Sequence, residues 1–489
     1  MKKMERSVWL TLTALAVSAC GSPVEQNIVA TSGKSIPQID TVFADWDDSA
    51  SPGCGIAVAR DGEIVYSKGY GSANLDDRTP VTPLTVFDVA SVTKQFTAAS
   101  LTMLALDGKL SLDDDVRQWL PELPVHESPV ALHHMIYHTS GLRDYLNLFP
   151  LAGRDDYYPI SHTNIRDMMS RQDALNFQPG EQYAYSNTAY MLLAQVVERA
   201  SGQSFGDFTQ ARIFDPLEMV GSRMYDDKTE IIPHRSVGYA FNGDGSVRVV
   251  HNYNFDVAGD GQLYSTMEDL LRWDNYLHGD TKPAIHEQML DEGVLNNGEP
   301  LSYAQGLRLD EHRGLRRVGH SGSSWGFRTE LVRYLDAGLS IAISCNFASA
   351  NPGVLARQVA EHYLDDRMQP ESGEVSRNVD PGEDDQVPEP PLLMTDQRKA
   401  YTGNYFSAEL DAIYRVFEVA GDLVVGIEQQ LPFVMRSVAT DAFEFDFQPD
   451  GWGGPSTVNL DFSRDDSGKI DGFELTAGSE REINFTPLP

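Results

Sequence analysis

The chain has 489 residues, of which 41% are hydrophobic and 22% charged, a balance typical of a globular protein with room for two or three domains. Acidic residues number 72 against 38 basic ones, so the formal net charge is −34. This charge argues against nucleic acid and anionic membrane surfaces as partners, and it favours a salty or extracytoplasmic setting.

The N-terminal segment has the pattern of an export signal. A basic start and an apolar run too short to span a bilayer precede Cys20. The segment Val17-Ser-Ala-Cys20 resembles the lipobox of bacterial lipoproteins, in which the cysteine is lipidated. We therefore expect a signal peptide at 1–19, a lipidated tether at 20–35, and an exported, periplasm-facing envelope lipoprotein whose only membrane contact is the lipid, the outer membrane being favoured over the inner. An ordinary signal peptide with a chance cysteine is the alternative.

The region after the tether predicts an α/β domain. Helical spacing of apolar residues from Ile39 to Trp46 is followed by a hairpin whose Asp61-Gly62 turn is the signal for type I′ geometry. Strand-like stretches occur at 55–60, 63–70, 328–334 and 338–345. A helix is expected at 354–364. Strands at both ends of a helical insertion indicate one sheet built from distant segments.

Two further cysteines, Cys54 and Cys345, fall in strand-like stretches. An exported protein could oxidise them, but a pairing cannot be deduced from sequence, so two buried thiols are the favoured expectation. Neither has a local activating partner, and neither is expected to be a nucleophile.

Ser91 and Lys94 begin an apolar stretch that Asp107-Gly108 ends. Three residues apart on a helix, the two side chains share a face, so the lysine nitrogen can reach the serine oxygen and activate it. The chain has no second S-x-x-K. A chance pair on a surface helix is the alternative. Because apolar residues go most of the way round this helix, we expect it to be buried and its lysine to have a chemical purpose.

Two other motifs can supply polar groups to a cleft. Tyr185-Ser-Asn187 lies between a Pro-Gly turn and an apolar helix at 189–200 that fix its backbone, whereas the rival Tyr145-Leu-Asn147 lies in a looser run. Gly319-His-Ser-Gly322 leads through Ser323 toward a strand, where glycines permit close approach and a strand edge offers N–H groups to an oxyanion. His312-Arg-Gly314 precedes a turn and ranks well behind.

The three motifs S-x-x-K, Y-x-N and H-x-G in this order are together a strong family signal, although each motif alone is a weak one. Residues 36–366 resemble the serine β-lactamase-like hydrolases, the family of class C β-lactamases, D,D-carboxypeptidases, D-aminopeptidases and related esterases. Further matches occur at His138-Thr-Ser-Gly-Leu142 and Ala258-Gly-Asp-Gly261. The resemblance implies an α/β (α+β) fold, with an antiparallel sheet flanked by helices and a large helical insertion.

The same resemblance implies roles for individual residues. Ser91 would be the acylated nucleophile, Lys94 and Tyr185 the proton-handling pair, and Asn187 a ligand of the substrate amide. The backbone N–H groups of Ser91 and Ser323 would form the oxyanion hole. No cofactor and no metal are implied. His134 and His138 are four apart, but no acidic ligand stands at a zincin spacing, so we expect them to be structural.

His320 with Gly322 marks a departure, since class C β-lactamases carry K-T-G here and this chain has His320-Ser-Gly322. The pattern is more like the D,D-peptidase and D-aminopeptidase branch. A histidine with an ordinary pKa of about 6.5 is mostly neutral at pH 7. We therefore expect His320 to attract substrate carboxylates weakly at pH 7 and to gain its charge near about pH 5.5.

The C-terminal region begins with an acidic, Pro-rich linker at 367–391. Residues 392–489 contain alternating segments such as Phe443–Phe447 and Val458–Phe462, which predict a small all-β barrel or sandwich. This region resembles the lipocalin-like barrel appended to some of these hydrolases. A stabilising or partner-binding module and a module with a part in catalysis both stay open.

The sequence as a whole indicates a serine hydrolase that cleaves a small amide or ester, in a small molecule or peptide, through a Ser91 acyl-enzyme. A carboxylesterase is one alternative. A β-lactam-binding or scaffold protein without turnover is another. The substrate and the oligomeric state stay open.

Overall fold

The computed structural model describes residues 36–154, 158–250, 254–279, 282–370, 395–428, 430–447 and 456–489. The predicted signal peptide 1–19, Cys20 with its tether, and most of the 367–391 linker lie outside these residues. Within them, no helix combines the length and apolar character needed to cross a membrane.

A six-stranded antiparallel sheet forms the centre of the first domain. In spatial order its strands are Arg308–His312, Leu315–Ser324, Phe327–Tyr334, Leu339–Cys345, Cys54–Arg60 and Glu63–Tyr70. Asp61 and Gly62 have φ values of 50° and 83°, so the predicted hairpin is confirmed. The prediction of one sheet built from distant segments is also confirmed.

Successive residues of the strand Cys54–Arg60 point to opposite faces of the sheet, and each face has its own apolar cover. Ile56 and Val58 pack with the helices Pro37–Val42 and Pro352–Leu364. Ala57 and Ala59 belong to the larger core, where the helix Met267–His278 contacts the sheet. A central strand covered on both sides reads as continuously apolar rather than alternating, as this one does.

Cys54 and Cys345 form a disulfide bond between the two central strands. The expectation of two buried thiols was therefore wrong. The residues are 291 apart in sequence but are direct partners in the antiparallel register, with Cα atoms 4.0 Å apart. No local pattern reveals which distant strand will be a neighbour, so this pairing could not be predicted.

Helices and short strands fill the insertion between the two halves of the sheet. Its helices are Thr93–Leu106, Leu132–Ile136, Tyr145–Leu151, His162–Met169, Asn187–Ser201, Phe205–Thr209, Met267–His278 and His286–Met289, with a π-helix at Gln210–Phe214. Its short strands are Ser72–Asn74, Thr79–Pro80, Phe87–Asp88, Ile160–Ser161, Arg223–Met224, Gly238–Phe241, Val247–Val250, Phe255–Asp256 and Leu263–Ser265. Every residue from Thr93 to Leu104 is buried, as predicted for the Ser91–Lys94 helix.

The C-terminal region is a nearly closed nine-stranded barrel, as predicted. Its strands in spatial order are Phe433–Val434, Asp422–Ile427, Ala412–Val419, Gly403–Ser407, Glu480–Pro487, Ile470–Ala477, Ser456–Arg464, Ala442–Phe447 and Arg436–Ala439. A short helix, Thr395–Arg398, precedes them. Inward-facing aromatic rings fill the barrel; Phe473 and Phe485, for example, stack with centroids 4.5 Å apart.

Candidate active site

Ser91 lies in a tight turn with a strained backbone. It occupies the 3₁₀ turn Ala90–Val92, which continues directly into the long buried helix. Ala90 has a φ of 49°, a left-handed value that costs a residue with a side chain about 1 kcal/mol or more. Asp88 Oδ1 accepts the Ala90 N–H at 2.9 Å, and Thr93 Oγ1 donates to the Ala90 carbonyl at 2.6 Å. These two bonds hold the turn that carries Ser91.

Lys94 is aimed at Ser91 by two fixed acceptors. The lysine is 0% exposed, and its Nζ lies 3.2 Å from Ser91 Oγ, 2.9 Å from Asn187 Oδ1 and 2.7 Å from the Asp260 carbonyl oxygen. An ammonium has three N–H donors and satisfies all three acceptors. A neutral amine keeps two donors on Asn187 and Asp260, so its lone pair points at the Ser91 hydroxyl, as a general base requires. The geometry therefore serves both protonation states.

The ring of Tyr185 covers Lys94. Lys94 Nζ lies 4.8 Å from the ring centroid, and the guanidinium carbon of Arg308 lies 5.8 Å from the same centroid. The imidazole of His138 packs beside the ring with centroids 4.1 Å apart. The structure thus brings Tyr185 next to the Ser91–Lys94 pair, as expected from the role predicted for the Y-x-N motif.

A chain of neutral hydrogen bonds connects His138 to His320. His138 Nδ1 accepts the Ser186 N–H at 3.0 Å, so its Nε2 carries the proton and donates to Tyr303 Oη at 3.1 Å. Tyr303 in turn donates to His320 Nε2 at 3.2 Å, and His320 Nδ1 donates to the Ser321 carbonyl at 2.6 Å. Every ring nitrogen has a partner when both histidines are neutral, which fixes their tautomers.

His320 keeps its neutral form far below pH 7. It is 3% exposed, and burial, reinforced by the charge of Lys94, lowers its pKa to about 3. Burial also holds the pKa of His138 well below its ordinary value. The expectation that His320 gains charge near pH 5.5 was therefore wrong, because an unperturbed pKa applies only to a solvated imidazole.

Asn187 links Lys94 to a buried carboxyl group. It is the first residue of the helix Asn187–Ser201. Its Oδ1 accepts from Lys94, while its backbone N–H and its Nδ2 donate to Asp144 Oδ2 at 2.5 and 3.1 Å. Because Asp144 holds the nitrogen of the amide, the oxygen is turned toward Lys94.

The strand Leu315–Ser324 pairs with Arg308–His312 only as far as Gly319, so its next residues face the Ser91 turn. The H-x-G motif thus lies within this strand rather than ahead of one. A Cβ on Gly322 would lie 2.2 Å from the Val89 carbonyl oxygen, so only glycine allows the strand to approach the turn. Ser323 follows on the exposed side.

A cavity of about 520 Å³ opens at this meeting point. It is lined by Ala90, Ser91, Tyr145, Leu146, Asn187, Phe255, Asp260, Gly261, Gln262, Ser323, Ser324, Trp325 and Arg328. Three residues with predicted roles line this one cavity. They are Ser91, the predicted nucleophile and oxyanion-hole residue, Asn187, the predicted amide ligand, and Ser323, the second predicted oxyanion-hole residue. Lys94 and Tyr185 are not among its lining residues, and His320 lines a different cavity of about 160 Å³.

A further apolar cavity of about 200 Å³, formed mainly by residues 115–130, shares no lining residue with the one at Ser91. The chemistry-bearing groups therefore single out the cavity at Ser91.

Buried carboxyl groups surround the site. Burial raises the pKa of Asp144 to about 7 and also raises the pKa values of Asp88 and Asp260, the charge of Lys94 opposing the rise at Asp260. Among the residues that line the cavity, desolvation lowers the pKa of the Arg328 guanidinium, whose Nη1 donates to the Phe327 carbonyl at 2.7 Å. Arg328 is therefore the cation among the described residues that line the cavity, whereas Lys94 is buried and is not among the lining residues.

A family model described as Beta-lactamase matches residues 39–364. The chain belongs to the Beta-lactamase family. Penicillin-binding protein 4* of Bacillus subtilis (strain 168) is 34% identical over 297 residues, 58% of this chain and 65% of that protein. A D-aminopeptidase of Gluconobacter oxydans (strain 621H) is 30% identical over 301 residues, 61% of this chain and 56% of that protein. The match thus spans less than two thirds of either relative.

Solved structures extend the likeness of this Beta-lactamase family protein beyond the matched region. The octameric penicillin-binding protein homologue from Pyrococcus abyssi has a TM-score of 0.59 at 23% identity and covers 91% of this chain and 97% of its own. SurE has a TM-score of 0.54 at 23% identity and covers 92% of this chain and 99% of its own. At these identities the comparison shows a shared fold, which includes the C-terminal region.

Several residues that shape the site are outside the set predicted to be catalytic or substrate-binding, and His138 was expected only to be structural. His138 and Asp260 belong to stretches that had supported the family resemblance only as matches. Tyr145 had been placed in a looser run, which was wrong, because it starts the helix Tyr145–Leu151, is 0% exposed, and donates to Asp260 Oδ2 at 2.7 Å. Tyr303 carried no sequence signal.

Proposed function

We propose that this protein is a serine hydrolase that cleaves an amide or ester through an acyl-enzyme on Ser91. Lys94 and Tyr185 handle the protons, Asn187 binds the substrate amide, and the backbone N–H groups of Ser91 and Ser323 receive the oxyanion. Metal and cofactor chemistry has no part in this proposal. Membership of the Beta-lactamase family supports the same reaction class.

The observation that carries the proposal is the position of Lys94. A fully buried lysine nitrogen lies 3.2 Å from a serine hydroxyl that opens onto a cavity of about 520 Å³. Burying a cation is costly, so a lysine retained there needs compensating contacts and a use. Because Asn187 and Asp260 occupy two hydrogen-bonding positions of Nζ, the third is directed at Ser91, and this arrangement activates a nucleophile.

The substrate class is the D-amino-acid amides and peptides. The relatives named penicillin-binding protein and D-aminopeptidase support this choice. The cavity supports it too, since aromatic and apolar groups such as Phe255 and Trp325 alternate there with polar groups such as Asn187. Arg308 and Arg328 provide permanent cations near the site, which the neutral His320 does not.

The test is covalent labelling with a fluorophosphonate or a penicillin, followed by intact-mass measurement and peptide mapping. We expect one label per chain on Ser91, and none in Ser91→Ala. Ser204→Ala, which changes an exposed serine at the start of the helix Phe205–Thr209, serves as the matched control and should label normally. A label that survives Ser91→Ala would refute the assignment.

A hydrolysis screen over D-amino-acid peptides, β-lactams and p-nitrophenyl esters then resolves the substrate. Turnover of the D-configured peptides or amides supports the proposal. Turnover of esters alone would make the protein a carboxylesterase. Labelling without turnover of any substrate would make it a β-lactam-binding protein.

We also propose that the protein is an envelope lipoprotein anchored through Cys20. The support is the lipobox-like Val17-Ser-Ala-Cys20 segment after a basic and apolar start. Cys20→Ala should move the protein from the membrane fraction to the soluble envelope fraction. Unchanged membrane association would contradict the anchor.

A further inference from the structure

A hairpin of the C-terminal barrel inserts a carboxyl group behind the site. The strands Ile470–Ala477 and Glu480–Pro487 are joined by a turn in which Gly478 has a φ of 61°. Glu480, at the start of the second strand, is 0% exposed although it belongs to the smaller domain. The side chain is buried because it enters the hydrolase domain.

Glu480 accepts hydrogen bonds from three residues of the hydrolase domain. The backbone N–H of Asp144 lies 3.3 Å from both carboxylate oxygens. Asn147 Nδ2 donates to Oε1 at 2.9 Å, and Asn176 Nδ2 donates to Oε2 at 3.1 Å. In the reverse direction, the Arg481 N–H donates to Asn176 Oδ1 at 3.1 Å. The hairpin is therefore hydrogen-bonded to the backbone of Asp144 and to the side chains of Asn147 and Asn176.

Arg143 provides a second connection to the barrel, one residue before Asp144. Its guanidinium is fully buried, forms an ion pair with Glu409, and donates to the Arg481 carbonyl at 2.8 Å. The segment 143–144 is thus held by the barrel through both a side chain and a backbone amide.

Asp144 passes this restraint on to the catalytic groups. Its Oδ2 accepts the backbone N–H and the Nδ2 of Asn187, and Asn187 Oδ1 accepts from Lys94. Only Asp144 and Asn187 separate Glu480 from Lys94. A displacement of Asp144 would rotate the amide of Asn187 and remove one of the two acceptors that aim Lys94 at Ser91.

The chemistry of Glu480 argues against a purely adhesive role. Burial raises the pKa of its carboxyl group, and the donors that bind it in the described residues are uncharged amides and a hydroxyl. Burying such a group is costly, and apolar side chains would join two domains at lower cost. A buried carboxylate gives instead what apolar contacts lack, a fixed direction for each donor.

We propose that the C-terminal barrel is a working part of the active site: Glu480 and Asp144 are positioning residues that hold Asn187, and through it Lys94, in the orientation that activates Ser91. The inference rests on the proposed function. Under this proposal the barrel takes part in catalysis, which is one of the two roles that the sequence leaves open.

The test compares Glu480→Gln with Tyr414→Phe. Tyr414 also bridges the two domains, since its buried hydroxyl donates to the Leu151 carbonyl at 2.8 Å, but it has no contact with Asp144. The readout is the second-order rate of fluorophosphonate labelling of Ser91 at 25 °C, which requires no knowledge of the substrate. Unfolding midpoints are measured in parallel.

We expect Glu480→Gln to slow labelling roughly tenfold to a hundredfold, because a small misplacement of a positioning group has an effect of this order. Tyr414→Phe should lower the unfolding midpoint and leave the labelling rate unchanged. Equal rates in Glu480→Gln and wild type, or equal losses in both variants, would overturn the inference. If wild-type Ser91 does not label at all, the proposed function itself fails.

The pH profile of labelling is a readout that a merely structural role would not move. The charged groups that face Asp144 are Glu480 from the barrel, Asp260, and Lys94 across Asn187; Arg143 beside it is paired with Glu409. The charge of Glu480 raises the pKa of Asp144, so the limb of the profile that follows the titration of Asp144 should move to lower pH in Glu480→Gln. An unmoved limb would contradict the proposal.

Asn147→Ala keeps the test decisive if Glu480→Gln does not fold. Asn147 is exposed and donates one bond to Glu480, so its loss is compatible with folding. Labelling should slow severalfold in this variant. Labelling at the wild-type rate would count against the inference.

Discussion

The two sides of the Ser91–Lys94 pair differ in charge, since one contains ionisable carboxyl groups and the other contains neutral hydrogen-bonded side chains. On one side, Lys94 donates to Asn187 Oδ1 and to the Asp260 backbone carbonyl, and the buried carboxyl groups of Asp144 and Asp260 accept from Asn187 and Tyr145. On the other, His138, Tyr303 and His320 form a chain of hydrogen bonds that carries no charge. The difference indicates that the charged side governs reactivity and its pH dependence, whereas the neutral side maintains shape.

The largest expected effect is on the charged side, in Lys94→Met. The substitution removes the proton acceptor or donor next to Ser91, so kcat should fall about 10²- to 10⁴-fold, the range for a positioned acid–base group. Lys68→Met is the control, because Lys68 is a partly exposed lysine whose Nζ also has a fixed acceptor, Asp40 Oδ1 at 2.7 Å, but it does not line the cavity at Ser91. A smaller decrease in kcat in Lys94→Met than in a neutral-side variant would contradict the assignment of reactivity to the charged side.

On the neutral side, Tyr303→Phe should affect stability more than chemistry. The change leaves the Nε2 atoms of His138 and His320 buried and without their partner, at about 1–3 kcal/mol each. Urea unfolding at pH 7 measures the loss. The control is Tyr405→Phe, which removes one buried hydroxyl that donates to the Tyr401 carbonyl at 2.8 Å. A loss no larger than in the control would mean that the chain of bonds contributes no stability.

A smaller effect is expected from the pH dependence of His320. With a folded pKa of about 3 against about 6.5 in the unfolded chain, its full stability is present above pH 6.5 and decreases as pH falls toward 3. By pH 5 the decrease is about 2 kcal/mol, at 1.36 kcal/mol per pH unit. In His320→Gln this part of the acid destabilisation should be absent, measured by urea unfolding at pH 7 and pH 5.

The neutral state of His320 also predicts how substrate selectivity depends on pH. Because His320 stays neutral, the ratio of kcat/KM for a carboxylate-bearing substrate to that for p-nitrophenyl acetate should gain no contribution from this residue between pH 7 and pH 5.5. The difference between His320→Gln and wild type in that ratio should be constant over this range. A ratio that rises toward pH 5.5 in wild type only would show that His320 is protonated after all.

The sequence was most informative where a local pattern determines the structure. The S-x-x-K pair, the type I′ turn at Asp61-Gly62 and the alternating strands of the barrel each depend on neighbours within a few residues. The Ser91 helix was predicted to be buried because apolar residues surround it, and it is buried. The family resemblance added the antiparallel sheet with flanking helices, and the order of the strands in that sheet was not predicted.

Long-range contacts were beyond prediction for a physical reason. Cys54 and Cys345 meet through sheet register, Glu480 reaches Asp144 from another domain, and Tyr303 joins two histidines from separate elements. None of these pairs shares a local pattern. The error on His320 has the same origin, since its pKa depends on burial by residues that are distant in the chain.

The register of the central sheet also determines when the hydrolase domain can assemble during synthesis. The strand Cys54–Arg60 needs Leu339–Cys345 as a neighbour, and the two cysteines are 291 residues apart, which a ribosome covers in roughly 15 to 60 s at about 5–20 residues per second. During that interval the strand Cys54–Arg60 can pair on one edge only, with Glu63–Tyr70, and its other edge has no partner strand. No fragment that ends before Leu339 can complete the sheet, so the nascent hydrolase domain stays incompletely folded until most of it has been made.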